Sequence, residues 1–259
     1  MKKFEPSKRQ ASILQMIEEF GFIATEAMVT EFNVTPQTIR RDLNELSEQG
    51  LLTRFHGGAG QVKSAENPPY EDRLQTGVEA KKKIAAVTAA MIPNGASIFL
   101  STGTTIEAIA EALLGHEKLH VFTNNLHVAR ILTQNESFQI IVSCGQVRHS
   151  DGGIIGSSSD DFISDFRMDI GIVGISGVDE DGTLLEYDPQ EVKTAKTILR
   201  NSQKVIMVAD RHKFGRRAMN RVGHIRELDA IITDSEPETH FKNLCESEDI
   251  EIIVSSADP

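Results

Sequence analysis

Apolar residues at Ile13, Leu14, Ile17 and Phe20 recur at helical period, with Ser7 placed to cap the segment and Gly21 to stop it. Thr25 opens a second short helix whose inner side is Met28, Val29 and Phe32, and Asn33-Val34 makes a tight turn. Thr35 as cap and Pro36 at the first helical position begin a third. At about 100° per residue, Ile39, Leu43 and Leu46 fall on one side of it, and Gln37, Arg40, Arg41 and Asn44 on the other. Gly50 ends this helix. Leu51 to His56 then alternates like a strand, and Gly57-Gly58 turns the chain back toward Gln61-Val62. Residues 63–75, with Pro68-Pro69 inside, read as an extended connector, followed by a helix from Val78 to Met91 with Ile84, Val87 and Met91 on one side. Beyond Ala96, apolar strands at 96–100, 119–123, 138–143, 169–173, 204–209, 229–233 and 250–254 alternate with helices near 104–114, 125–134, 158–166, 189–201 and 237–247.

These elements divide the chain into residues 1–62, a winged helix-turn-helix; 63–77, a linker; and 78–259, an α/β domain with a largely parallel sheet covered on both faces. A sheet of that kind binds ligands in the crevice beyond the carboxyl ends of its strands. In the first domain the third helix is the one that enters a major groove, although three helices and a hairpin also suit a protein-binding module.

Charge supports this division. The net charge is −11, yet residues 1–60 hold seven basic against eight acidic residues, so the acidity belongs to the larger part. An acidic body leaves DNA contact to a small local surface. Cys144 and Cys245 stand far apart with no CxxC and no His/Cys cluster, which favours a reducing cytoplasm and implies neither metal nor cofactor. The start of the chain has no apolar run of a signal peptide, and no stretch approaches membrane-spanning length.

The polar face of the third helix carries the side chains that pair with guanine and adenine edges. Thr35, Gln37, Thr38, Arg40, Arg41 and Asn44 are the expected DNA-contacting residues there, with Arg54 and His56 of the wing reaching phosphate or minor groove. In the second domain the strand ends are polar and glycine-bearing. Ser101, Gly103, Thr104 and Thr105 follow the first, where a helix N-terminus offers donors to an anion. Asn124, Gly145, Ser176 and Asp179 follow the next three, and Lys213, after a later strand, is either a cationic partner for phosphate or a surface lysine. The Lys81-Lys82-Lys83 run reads as a solvated first turn, and Asp179-Glu180-Asp181-Gly182 as a turn. His116-Glu117-Lys118-Leu119-His120 matches the H-E-x-x-H pattern of zinc proteases, but the helix should end at Leu114-Gly115 and a strand then separates the two imidazoles.

Val34 through Leu46, followed by Gly50-Leu51-Leu52 and His56-Gly57-Gly58-Ala59, resembles the DNA-binding domain of DeoR-type bacterial repressors, and the likeness extends over almost the whole chain. Within that family, Asp151-Gly152-Gly153-Ile154-Ile155-Gly156, Gly174 to Asp179 and Lys213-Phe214-Gly215-Arg216 are similar to the members that govern glycerol utilisation. The resemblance implies a homo-oligomeric, non-enzymatic repressor, a dimer or tetramer, released from operator DNA by sn-glycerol 3-phosphate or another sugar phosphate. It also implies an effector domain similar in fold to ribose-5-phosphate isomerase, whose Asp-Gly-Ala-Asp-Glu segment and following Lys support proton transfer. At the matching positions stand Ser176-Gly177-Val178-Asp179-Glu180 and Glu186. Loss of the positioned acid and base argues against the other reading, an isomerase with an appended DNA-binding domain. Asp179, Glu186 and Asp188 would then accept from ligand hydroxyls or simply face water.

Overall fold

The computed structural model describes residues 4, 6–20, 22–55, 58–60, 67, 70–75 and 77–255. The chain divides into two compact units, Met1–Ser64 and Ala65–Pro259.

In the first unit, helices α1 (Lys8–Phe20), α2 (Thr25–Phe32) and α3 (Pro36–Glu48) pack around Ile13, Ile17, Met28, Ile39, Leu43 and Leu46, the inner faces expected from their spacing. Strands β2 (Thr53–Phe55) and β3 (Gly58–Gly60) form the antiparallel wing, with Arg54 opposite Ala59. The sequence pattern gave no warning of β1 (Phe22–Ala24), which pairs with β3 on its other side. Three residues between two helices are too few for an alternating pattern to show. Asp42, on the inner side of α3, is buried and held by Arg9 of α1, 2.5 Å from Nε to Oδ2.

The second unit is built on seven parallel strands. Their order is β15 (Glu251–Val254), β14 (Ala230–Thr233), β12 (Ser202–Val208), β9 (Met168–Gly174), β4 (Ser97–Leu100), β5 (His120–Thr123) and β6 (Gln139–Val142). These are the seven strands expected from the apolar runs. Alternation distributes each strand between two cores. Ile98, Leu100, Ile170, Ile172, Ile206 and Ile232 meet α5 (Val78–Ala90), α6 (Thr104–Ala112) and α7 (Leu126–Leu132) on one face. Phe99, Phe122, Val173, Val205, Met207 and Ile231 meet α8 (Ser157–Ser164), α9 (Pro189–Asn201) and α10 (Thr239–Ser247) on the other. Each fully buried Ile or Phe contributes roughly 1.5–3 kcal/mol relative to exposure, which fixes the register of every strand.

From β4 the chain first adds β5 and β6 on one side, then returns to lay β9, β12, β14 and β15 on the other. The topological switch point therefore lies between β4 and β9, and the crevice beyond their carboxyl ends is the expected ligand position. Small antiparallel additions were not anticipated: a ribbon of β7 (Gln146–Val147) and β8 (Ile154–Ile155), and a sheet of β10 (Gly177–Val178), β11 (Thr183–Glu186) and β13 (Asn220–His224). Strands of two to five residues carry too little periodicity to stand out.

The stretch read as an extended connector contains α4 (Tyr70–Gln75), a short helix belonging to the second unit. Lys81 is also not solvated. It is buried, and its Nζ donates to the carbonyl of Arg73, whereas Lys82 and Lys83 are exposed as expected.

Candidate functional site

In the first unit, Thr35 caps α3 in extended conformation, its Oγ1 accepting from the N–H of Thr38 at 3.3 Å. The cap and Pro36 start the helix where the sequence placed it. Gln37, Arg40, Arg41 and Asn44 are all exposed on the face opposite Ile39, Leu43 and Leu46. Their surroundings differ. Arg41 pairs with Glu45, Nε to Oε1 3.0 Å, and Glu45 also accepts from Gln10 at 2.8 Å. Arg54 of the wing donates from Nη1 to Asn44 Oδ1, so the hairpin is tied to the recognition face. Arg40 has no hydrogen bond or ion pair among the described residues. His56 lies outside the described residues.

In the second unit, α6 begins at the switch point. Gly103 occupies its cap position at φ 125° and ψ 153°, a region essentially closed to residues with a Cβ, and supplies no side-chain cap. The first N–H to bond into the helix is that of Glu107, to Gly103 O at 3.0 Å. The N–H groups of Thr104, Thr105 and Ile106 are thus left without an intrahelical acceptor, in a turn where Thr104 and Ile106 are buried. Helices α5, α8 and α10 likewise begin without a side-chain cap, whereas two others are closed. Asn125 caps α7 and Asp188 caps α9 with their own side chains. An uncapped, buried helix start leaves N–H donors and a positive dipole end that could hold an anion.

Arg73 meets this turn through its carbonyl at Thr104, and two lysines lie near Arg73. From α4, Arg73 brings Nη2 to 3.7 Å from Asp151 Oδ2, and its buried Nε has no acceptor. The ammonium of Lys213 makes no hydrogen bond among the described residues, and burial pulls it down to about 8 from 10.5 against the opposing pull of Asp210, with Arg216, Glu186 and Arg73 also in its field. Lys213 is half-buried, between the two readings that the sequence left open. Lys81, the third cation, is depressed by burial as well.

The floor of the crevice is a charge cluster. Arg148 grips Asp151 through Nε (2.8 Å) and Nη2 (2.7 Å), and reaches Asp188 Oδ2 and Glu191 Oε1, each at 2.5 Å. Thr102 Oγ1 donates to Glu191 Oε2 at 3.2 Å, joining the cluster to the α6 loop. One guanidinium cannot neutralise three carboxylates. Although burial opposes it, Asp151 is held below its usual range by Arg148 and the N–H of Gly153. Glu191 bears the excess: burial, and next the charge of Glu186, push it up to about 7. Burial also raises Glu107, which accepts from Tyr70 Oη at 2.8 Å and whose Oε1 has no donor.

The other expected residues separate into those at the crevice and those elsewhere. Ser101 Oγ accepts from the N–H of Gly174 at 3.2 Å, clamping β4 to β9. Asn124 is buried with its amide nitrogen on Ile154 O and its Oδ1 unpartnered. Thr105 is half-buried beside the uncapped turn. Ser176 donates to buried Glu186, which also accepts from the N–H of Tyr187 at 2.8 Å. Gly145 has a packing reason instead, since a Cβ there would lie 2.6 Å from the carbonyl oxygen of Ile155. Asp179 is drawn away from the crevice: it turns the β10–β11 hairpin, accepting from Gly182 N–H through its backbone and pairing with Arg217 at 3.4 Å. Residues 179–182 are thus a turn, as read.

Sequence reasoning missed Tyr70, Arg73, Thr102, Arg148, Asp151 and Glu191. Their signals, a short helix inside a Pro-containing connector and an Arg three residues before an Asp, are too common to select. The H-E-x-x-H match comes apart as expected. His116 follows the end of α6 and its Nε2 lies 3.0 Å from Ile92 O, while His120 starts β5 with Nδ1 2.7 Å from Gln139 Oε1. A surface depression between α8 and α9, lined by Asp160, Lys193 and Arg200 among others, mixes both signs of charge and lies on a different part of the unit from the switch point.

Comparison with known proteins agrees with both halves of this picture. Residues 9–65 match the model of the DeoR-like helix-turn-helix domain, and residues 76–235 match that of the DeoR C terminal sensor domain. The chain is 50% identical over 231 residues to the glycerol-3-phosphate regulon repressor of Escherichia coli K12, covering 89% of this chain and 92% of that one. The protein of the same name from Haemophilus influenzae is 49% identical, covering 90% and 91%. The transcriptional repressor CsqR of E. coli is 38% identical, covering 96% of each. Among solved structures, ribose 5-phosphate isomerase A from Methanocaldococcus jannaschii aligns at TM-score 0.41 and 15% identity over 54% of this chain and 55% of that one, too partial a likeness to carry further argument. The protein belongs to the DeoR family, with an N-terminal helix-turn-helix domain and a C-terminal sensor domain.

Proposed function

We propose that this protein is a cytoplasmic transcriptional repressor of glycerol and glycerol-3-phosphate utilisation genes, released from its operator by sn-glycerol 3-phosphate. One observation carries the effector side of this reading: the uncapped, buried first turn of α6 stands at the switch point, Arg73 meets it through its carbonyl at Thr104, and Lys213 lies in the field of Arg73. Oriented N–H donors and two cations suit a phosphate dianion, and Glu191, Asn124 and the second oxygen of Glu186 supply acceptors for hydroxyls. The high identity to repressors named for the glycerol-3-phosphate regulon supports that effector over other sugar phosphates.

The protein acts by binding and not by turnover. Ser176 stands where the isomerase pattern has an acid, and Glu186 is occupied by Ser176 and a backbone N–H. Repression follows from α3 lying in the major groove with the wing on the backbone, and the active form is a homo-oligomer whose operator carries repeated half-sites. Effector must favour the DNA-incompetent arrangement, and a coupling of roughly 1–3 kcal/mol weakens operator affinity about 5–150-fold.

The test is an operator complex titrated with sn-glycerol 3-phosphate, other sugar phosphates and glycerol. Release by sn-glycerol 3-phosphate at the lowest concentration is expected. Release by glycerol but not its phosphate overturns the reading, and a stronger response to another sugar phosphate replaces the effector.

A further inference from the structure

Helix α4 begins at Tyr70, shortly after Ser64, where the first unit ends. It is attached to the second unit at the anion-binding turn itself. Tyr70 Oη donates to Glu107 of α6, and its ring stacks on His127 of α7, 5.4 Å between centroids and 10° from parallel. The carbonyl of Arg73 accepts from Lys81 Nζ and, at 3.5 Å, from Thr104 Oγ1.

The guanidinium of Arg73 lies over the Tyr70 ring, 5.9 Å from its centroid, but makes no hydrogen bond among the described residues. Its contact with Asp151 is 3.7 Å, beyond hydrogen-bond length, and Asp151 is already satisfied by Arg148 and the N–H of Gly153. Nε is buried and donates to nothing described. A buried N–H without an acceptor is costly, so an incoming acceptor gains the full bond while Asp151 loses little.

We propose that Arg73 binds the phosphate of the effector and that α4, which carries it, passes occupancy of the crevice to the DNA-binding unit. This rests on the sugar-phosphate reading above. The turn from Thr104 to Glu107 both receives the anion and anchors α4, through Thr104 to the Arg73 carbonyl and through Glu107 to Tyr70. A phosphate there draws the guanidinium toward α6 and places negative charge beside the Glu107 carboxyl, so the seat of α4 differs between empty and occupied states. That difference is what a ligand needs to shift an equilibrium.

The experiment uses the full chain and two readouts: calorimetric affinity for sn-glycerol 3-phosphate, and the ratio of operator Kd with and without saturating ligand. Arg73→Ala is expected to weaken ligand affinity at least about tenfold, with Arg73→Lys intermediate, as for a lost charge-assisted bond. Tyr70→Phe, which keeps the stacking on His127, is expected to change the operator ratio by at least about threefold. Wild-type affinity in Arg73→Ala overturns the assignment of Arg73, and an unchanged ratio in Tyr70→Phe overturns the role of α4. A wild-type chain that binds no sugar phosphate overturns the functional reading and this inference together, whereas normal wild-type release with unaltered variants overturns the inference alone. Thermal melts and the conservative Arg73→Lys variant separate these outcomes from misfolding.

Discussion

Arg41 and Glu45 face each other one turn apart on α3, 3.0 Å between Nε and Oε1, while Arg40 beside them has no partner among the described residues. An arginine already engaged by a carboxylate must give up that contact to bind DNA, and a free one has nothing to give up. We therefore propose that Arg40 reads a base. Arg40→Ala should cost about 1–3 kcal/mol at the operator and relax preference at one base pair, whereas Arg41→Ala should weaken all DNA alike. Affinities over a panel of single-base operator variants decide it, and a loss of sequence preference in Arg41→Ala instead would reverse the assignment.

Glu191 sets a pH dependence of stability. Its carboxyl is raised by burial and by Glu186 from 4.5 to about 7 in the folded chain. The folded state thus holds this proton more tightly than the unfolded state, so the contribution is complete below about 4.5 and is lost as pH rises to about 7. Wild type should lose stability relative to Glu191→Gln across that window, each kcal/mol appearing as roughly 2–4 °C in Tm for a unit of this size. Parallel melting curves for the two proteins from pH 4.5 to 7.5 would show that the carboxyl is not raised.

Lys213 sets the opposite kind of dependence, on effector affinity. With its amine pulled down to about 8 by burial, the empty protein discharges it as pH rises past that value. A phosphate needs the charged form, and its own second ionisation near pH 6 is complete by then. Affinity for sn-glycerol 3-phosphate should hold to about pH 8 and then fall by up to about tenfold per unit. Lys213→Arg, charged throughout, should bind with a flat profile. A flat wild-type profile from pH 7 to about 9.5 would remove Lys213 from the site.

How far this was legible in the chain depends on period. The seven core strands and the helices between them are written as runs long enough to show alternation or helical spacing, and α3 declares itself through Thr35 and Pro36. The α6 loop was legible because Ser101, Gly103 and Thr104 directly follow a clear strand. Arg73 was not, because a six-residue helix in a stretch containing Pro68-Pro69 has no local signature and acquires meaning only by packing on α6. The Arg148 cluster joins residues forty apart, Arg148 to Asp188, which no spacing rule connects. Asp179 closes the β10–β11 hairpin and pairs with Arg217, contacts that an isolated strand-end residue does not announce.

The Arg9–Asp42 pair fastens α1 to the inner side of α3, with Asp42 8% and Arg9 35% exposed at the side chain. Removing Arg9 leaves a buried carboxylate without its cation. Because Arg9 is partly in water, Arg9→Ala should destabilise the first unit by ~1–3 kcal/mol, less than the ~3–5 kcal/mol of a fully buried pair. Arg9→Met with Asp42→Leu should recover most of that. Denaturant unfolding of the first unit checks both, and a double variant weaker than Arg9→Ala would contradict the account.

The most direct measurement is the affinity of the full chain for sn-glycerol 3-phosphate, free and bound to operator DNA. Binding free energies are reciprocal, so operator must weaken effector binding by the same factor, about 5–150-fold, by which effector weakens operator binding. The account predicts equal factors in the wild type and loss of measurable effector binding when Arg73 and Lys213 are both replaced by Ala. Equal effector affinity with and without operator would contradict it.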